Sequence, residues 1–450
     1  MYTSRKDTDM AAKTKTGTKV SGGKAVQAAK PAAGGDSLSA KDLAVLRGLA
    51  QRLAEIGNLP VQMEKAELWR RLNRLEHVRP LIMLHNATWH ETGSEIQLVC
   101  ESEVARQHEW GMRASLYQWD NVRDDSVYDA TAYSPIVYRN TGWGLDIDAT
   151  RPEHEFGACQ FNAVLKGDED PASIINLPTV TVDQEETDKI YQRMCSIWDG
   201  IMPVRKRGAA WSWFAIMDTF IQWRGLDNAF VDMIDRPAWV HAWMNRMTEW
   251  HMSEWDQMEK LGLLALNNGQ QGAVGVGPGG LGITDQLPQK DFDGTHVRRC
   301  DMWGHATTQI FAEVSPAMHD EFALAYESRF LSRFSLASYG CCEPLHLKVD
   351  LIRKRIPNLR RISMSPWVDV AAGASALRDQ IIFSYKPNPA ILGMSSFDVA
   401  EVRRQLRDVF EKTRGCVIEV IMKDLHTVNK QPQRMGQWVK MALALAEEYA

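Results

Sequence analysis

The chain has 450 residues, 44% hydrophobic and 24% charged, enough to bury a large core without cross-links. A net charge of −5 and a pI near 6.2 exclude the basic face of a nucleic-acid binder, and no apolar run approaches the roughly 18 residues of a membrane span. Seven scattered cysteines, an odd number, do not make a disulfide framework, and a reducing, cytoplasmic compartment is expected.

Residues 1–36 are rich in Lys, Ala, Gly, Thr and Ser and cannot repay their ordering entropy; they read as a disordered tail without the apolar run of a secretory signal. Residues 37–450 then form one domain. Ser39 is placed as the N-cap of a helix striped by Leu43, Leu46, Leu49 and Leu53, and "EKAELWRRLNRLEHV" (64–78) as a second helix. Strands are expected at 79–86, 134–140 and 263–268, with helices around 97–117 and over 236–262. The stretch 207–225 reads equally as strand or helix. Ser315 and Pro316 open another helix. The tail is regular: strands at 334–341, 359–365, 380–387 and 416–424 alternate with helices at 344–355, 370–378, 398–414 and 431–449.

Such alternation predicts βαβ units and parallel sheet, and about eight strands predict a (β/α)8 TIM barrel with an N-terminal helical extension. A doubly wound sheet is the alternative. "GAVGVGPGGLG" (272–282) does not open a helix after a strand and lacks a following Lys-Ser/Thr. It is therefore read as a flexible lid over the strand ends, not a phosphate loop.

The segments "YGCCEPLHLKVDLIRKRIPNLRRISMSPWVDV" (339–370), "YKPNPAIL" (385–392), "VIEVIMKDLHTV" (417–428), "DMWGHATTQIFAEVSPAMHDEFALAYESRF" (301–330) and "ELWRRLNRLEHVRPLIM" (67–83) resemble the uroporphyrinogen decarboxylase superfamily. They are most similar to its decarboxylase-like branch, grouped with cobamide-dependent methyltransferases. The resemblance spans roughly residues 60–450. It implies a (β/α)8 barrel and one of two chemistries. One is cofactor-free decarboxylation of a porphyrinogen. The other is methyl transfer to the cobalt of a small corrinoid protein, with zinc held by His-x-Cys and a later Cys. The arginine-rich segment that the decarboxylases carry after the first strand reads "LHNATWHE" here, without arginine, which argues against a porphyrinogen. The His-x-Cys position reads Tyr339-Gly340-Cys341, and the later Cys position reads Lys423, Asp424 and His426. Cys416 begins the last strand, away from the C-terminal strand ends where barrels work, and is discounted.

The expected metal set is Cys341 and Cys342 with Glu313 and His426, zinc acting as Lewis acid on the substrate. The alternative is a pair of structural thiols. His85, Asp424 and Tyr339 form the expected catalytic set; His85 ends the first strand and reads as a proton donor or as pocket wall. Asn86, Trp303, His305, Gln309, Lys386 and Asn388 are expected to bind substrate. Trp303 would stack a ring, and His305 and Gln309 would hydrogen-bond it. Lys386 would hold a carboxylate or pair with Asp424, and Asp301 would join the site or cap a turn. The leading reading is an enzyme that demethylates a small methylated substrate, such as a methoxylated aromatic, and passes the methyl group to a corrinoid protein. The alternative is a metal-independent decarboxylase or lyase acting on a non-porphyrin carboxylic acid, and a binding or scaffold protein is the third class. No membrane or nucleic-acid partner is expected, and a homodimer is left open.

Overall fold

The computed structural model describes residues 38–93, 96–150 and 160–450. The expected tail (1–36) lies outside them. Two helices open the described chain. Ser39 accepts a hydrogen bond from Asp42 N at 3.0 Å and starts Ala40–Gly57. Pro60, with no N–H to lose, starts Pro60–Asn73. This second helix ends five residues before the expected 78, because Leu75 turns into the left-handed region at φ 66°.

Among the described residues twelve strands follow in order: β1 (Leu81–Leu84), β2 (Ala132–Pro135), β3 (Tyr138–Asn140), β4 (Asp148–Thr150), β5 (Gln160–Asn162), β6 (Val180–Val182), β7 (Val204–Arg207), β8 (Trp303–Ala306), β9 (Leu336–Tyr339), β10 (Leu359–Met364), β11 (Ile382–Tyr385) and β12 (Ile418–Met422). The fold is mixed α/β around a six-stranded parallel sheet in the order β1-β12-β11-β10-β9-β8. β2 and β7 form a separate parallel pair; β3–β6 and β4–β5 are short antiparallel pairs.

The expected strand 134–140 is divided between β2 and β3, which join different pairs. The ambiguous 207–225 contains both states: a bridge from Phe214 to Ala306 and then helix Ile216–Arg224. The expected strand 263–268 pairs only through a bridge between Leu264 and Ala209. The helix expected from 97 begins at Glu103, where Ser102 caps Ala105 N. The long helix Pro237–Lys260 and the regular tail follow the sequence expectation closely.

Period-two alternation gives the main sheet two unlike faces. Ile82, Leu84, Ile362, Met364, Phe383, Ile418 and Val420 lie in the large core shared with the helices. The other face carries Leu81, Met83, Ile382 and Ile421, which pack with Trp69 and Leu72 of Pro60–Asn73 and with Leu281 and Ile283. Arg361, Glu419, Ser384, His305 and Ser338 share this second face and are fully or almost fully buried. The outer edge of β1 is closed by side chains. Ile82 N donates to Asp125 and Leu84 N to Asp124, both at 2.8 Å, and Arg79 pairs with Asp125. A strand edge needs such partners, because each orphaned buried amide costs about 1–3 kcal/mol.

The glycine-rich 272–282 is not a lid. It inserts against the polar face of the sheet. A Cβ on Gly280 would fall 2.2 Å from the Trp69 ring and 2.7 Å from Glu419, and one on Gly279 would fall 2.7 Å from Arg361. Only a bare backbone approaches this closely. Gly280 N donates to Glu419 at 2.9 Å and Gly280 O accepts from Arg361 at 2.9 Å, so the loop satisfies the buried ion pair that it covers.

Candidate active site

β9 ends at Tyr339, and Gly340 follows at φ 87°, a conformation that favours glycine. This turn breaks strand alternation and lets both following thiols approach the end of β12. The turn is held on two sides: Cys341 N donates to the fully buried Glu343 at 2.8 Å, and Ser363 Oγ donates to Cys341 O at 2.8 Å. Glu343 also accepts from Thr307 Oγ1 at 2.9 Å, at the end of β8.

The two sulfurs lie 3.4 Å apart. Lys423 Nζ stands 3.5 Å from Cys341 Sγ and 3.2 Å from Cys342 Sγ, and it pairs with Asp424, whose Oδ2 is 3.6 Å from Cys342 Sγ. Cys341 is buried and Cys342 exposed. The hydrogen bond from Cys341 and the Lys423 ammonium hold the Cys342 thiol below the usual range despite its partial burial. That same hydrogen bond, with burial, drives the Cys341 thiol strongly upward. Burial opposes the charge on Lys423, but the two thiols and Asp424 outweigh it and raise the ammonium. The arrangement is an exposed thiol, its pKa lowered, with a cation 3.2 Å away, the microenvironment of a nucleophilic cysteine.

Of the residues expected at the site, the structure joins Cys341, Cys342 and Asp424. Burial, then the charges of Lys386 and Lys423, push His85 down to about 4, so it faces this cluster as a neutral imidazole and not as a charged acid. Lys386 faces it too, donating to Ser384 O at 3.1 Å and to Ser384 Oγ. The expected ion pair of Lys386 with Asp424 is made by Lys423 instead.

The other residues expected at the site make contacts of their own. Tyr339 points to the opposite face of the sheet, where its hydroxyl donates to Glu327 at 2.7 Å and contacts His319 at 2.6 Å. Trp303 is fully buried, its Nε1 bound to Gly282 O at 2.8 Å, and packs with Val276, Leu287 and Leu336. Asn86 folds back on Thr88, Asn388 caps Ala390 N, and Asp301 caps a turn with Arg298. Gln309 binds Asp218 at 2.8 Å. Glu313 and His426 are exposed. Cys416 is buried, with its sulfur 3.6 Å from Ala374 O.

No group of three or more His, Cys, Asp or Glu among the described residues is arranged to hold a metal ion. The nearest approach is two sulfurs and the Asp424 carboxylate, but the Lys423 ammonium stands where a cation would. The residues as placed do not fit zinc.

The sequence reading missed two things. Trp211 and Trp213 stack at 5.1 Å, and Trp213 lies 4.9 Å from His305, making an aromatic wall beside the polar face. The role of Lys423 was also missed; its signal was the "KD" pair at a strand end.

No family model matches the chain, and no curated protein does. Solved structures do match it. One, a methyltransferase from Methanosarcina mazei, is similar at a TM-score of 0.45 and 9% identity, over 85% of this chain and 98% of that one. Likeness at that level carries no reaction from one chain to the other.

Proposed function

We propose that the chain is a methyltransferase in which the Cys342 thiolate meets the methyl carbon of a small methylated substrate. The observation that carries this reading is the exposed Cys342 sulfur at the C-terminal strand ends, 3.2 Å from Lys423 Nζ. The C–S bond forms as the bond from methyl to the leaving oxygen or nitrogen breaks. The electron pair goes to that leaving atom, and Lys423 supplies it with a proton. Cys341 donates its S–H to the thiolate and orients it. The turn is preorganised by Glu343 and Ser363, which limits the reorganisation needed at reaction.

The acceptor that finally takes the methyl group is, by the sequence resemblance, the corrinoid of a partner protein. Closure of the strands into a (β/α)8 barrel belongs to the same reading. It is supported by the bridges of Phe214 to Ala306 and of Leu264 to Ala209, which continue the sheet beyond β8. The site would then occupy the face where such barrels work.

The test is methyl transfer from methoxylated aromatics, with S-methylation at Cys342 read by peptide mass spectrometry. A 14 Da increment on Cys342 in the parent, absent in Cys342→Ser, is expected. Stoichiometric zinc that disappears in Cys342→Ser would refute the placement of Lys423 as the cation at the thiols.

A further inference from the structure

We propose that Cys341 and Cys342 form a reversible oxidation site, at which a hydroperoxide joins the two sulfurs in a disulfide and removes Cys342 as a nucleophile. Adjacent side chains on an extended strand point to opposite faces, which would hold two neighbouring thiols apart. Here β9 ends at Tyr339, Gly340 turns at φ 87°, and the two sulfurs come to 3.4 Å. Cys341 is buried and fixed from both sides, its N–H bonded to Glu343 and its carbonyl to Ser363, each at 2.8 Å. Cys342 is exposed, with Lys423 Nζ at 3.2 Å and Asp424 Oδ2 at 3.6 Å from its sulfur. One sulfur is therefore open to solvent, and a second, immobile one lies within reach of it.

The two thiols divide the work of an attacking and a resolving cysteine. Cys342 meets the oxidant, and the hydrogen bond from Cys341 together with the Lys423 ammonium favours its anion. Cys341 keeps its proton, held by that same hydrogen bond and by burial. The Cys342 sulfur, its proton lost to solvent, attacks one oxygen of the hydroperoxide. The S–O bond forms, the O–O bond breaks, and the leaving oxygen takes a proton from solvent. Cys341 Sγ then attacks the sulfenic sulfur of Cys342. The S–S bond forms, the S–O bond breaks, and hydroxide departs with the Cys341 proton as water. The two thiols lose two electrons, and hydrogen peroxide is reduced to two waters.

Closing the pair brings the sulfurs from 3.4 Å to about 2.05 Å, a movement that falls to the exposed Cys342 because Cys341 is held by Glu343 and Ser363. Neighbouring Cα atoms lie about 3.8 Å apart, inside the roughly 4.4–6.8 Å that disulfides prefer, so the closed ring is strained. Strained and exposed disulfides are the easily reduced ones, which suits a bond that opens again with a cellular thiol and not one that staples the fold. Closure takes the thiol anion from Lys423 and leaves Asp424 as its partner. It also ends oxidation at the disulfide, because a sulfenic acid consumed by Cys341 does not go on to the irreversible sulfinic acid. The effect of the bond on activity rests on the thiol-transfer reading; the bond itself does not.

The test adds hydrogen peroxide to the reduced full chain, blocks remaining thiols with N-ethylmaleimide and reads the tryptic peptide of residues 334–348 by mass spectrometry. The peptide is expected to lose about 2 Da, to carry no maleimide, and to regain two labelled thiols after dithiothreitol. Cys341→Ser, which exchanges one atom, should instead add oxygen at Cys342 and accumulate at least ten-fold more sulfinic acid than the parent. Oxygen added to Cys342 in the parent while Cys341 stays free, a disulfide that links two chains, or an unchanged peptide would overturn the proposal. S-methylation of Cys342 is expected to stop on oxidation and to return with dithiothreitol; methylation that continues after the bond has formed would overturn the loss of the nucleophile. The bond is read by mass without turnover. Its failure therefore leaves the thiol-transfer reading standing, and failure of methyl transfer in the reduced protein leaves the oxidation site standing.

Discussion

Glu327→Gln is the sharpest test of the electrostatics behind β9. Glu327 is fully buried and accepts hydrogen bonds from Tyr339 Oη and Thr308 Oγ1, both at 2.7 Å. Burial nevertheless pushes its carboxyl up to about 8 from an ordinary 4.5, with Glu343 and Asp218 adding to the rise. A raised pKa means that the folded chain holds the proton more tightly than the unfolded one. The resulting stability is fully present below pH 4.5 and is lost as pH rises through 8. Between pH 5 and 9 this single group removes about 4 kcal/mol, at ~1.36 kcal/mol per unit. Gln cannot ionise, so the stability of Glu327→Gln relative to the parent should improve by about that amount over the same interval. With an unfolding entropy of about 2.1 cal/mol/K per residue, a chain of this length loses roughly 0.9 kcal/mol per degree, so the relative gain is about 4 °C in Tm. His319 carries the opposite dependence: burial and Lys348 push it down to about 3, and its contribution is lost as pH falls. It is present in both proteins and cancels to first order in the difference. Melting curves of both proteins from pH 5 to 9 decide the matter. A Tm difference constant to within half a degree would show that Glu327 ionises normally and that burial does not dominate its carboxyl.

Three further outcomes are expected. Lys423→Met removes the cation beside Cys342, so the pH midpoint of its alkylation by iodoacetamide, below the ordinary thiol value in the parent, should rise, and the rate at pH 7 should fall about ten-fold for a shift of one unit. Gly280→Ala places a methyl group against Trp69 and Glu419 and should cost about 1–3 kcal/mol in urea unfolding, with Gly111→Ala, an exposed helical position that meets nothing within 4 Å, as the comparison site. Asp125→Ala leaves Ile82 N without its buried acceptor and Arg79 with Glu447 as its remaining carboxylate, and should cost about 1–3 kcal/mol by the same measurement.

What the sequence determined by itself was the local order of the chain. Continuous apolar runs such as "VIEVIM" mark strands buried on both faces, and the amphipathic stripes between them mark helices, because side-chain periodicity is written in consecutive residues. Ser39 and Ser315 act as caps because a short hydroxyl side chain satisfies a backbone N–H within three residues. The pairing of Cys341 and Cys342 with Asp424 was also foreseeable, since all three end neighbouring stretches of regular structure.

Only tertiary structure decided the rest. Tyr339 and Gly340 are adjacent, yet the strand turns Tyr339 to the helical face while the glycine's positive φ turns the thiols the other way. The "GAVGVGPGGLG" loop has the composition of a lid but serves as a plug, because Arg361, Glu419 and Trp69 leave room for a backbone and nothing more. The same distinction separates two lysines in similar places. Lys423 finds thiols and a carboxylate and is held charged, whereas Lys386 hydrogen-bonds only Ser384 among the described residues and is driven towards neutrality by burial. Charge state depends on which groups converge across strands far apart in sequence, and that convergence is a property of the packed sheet.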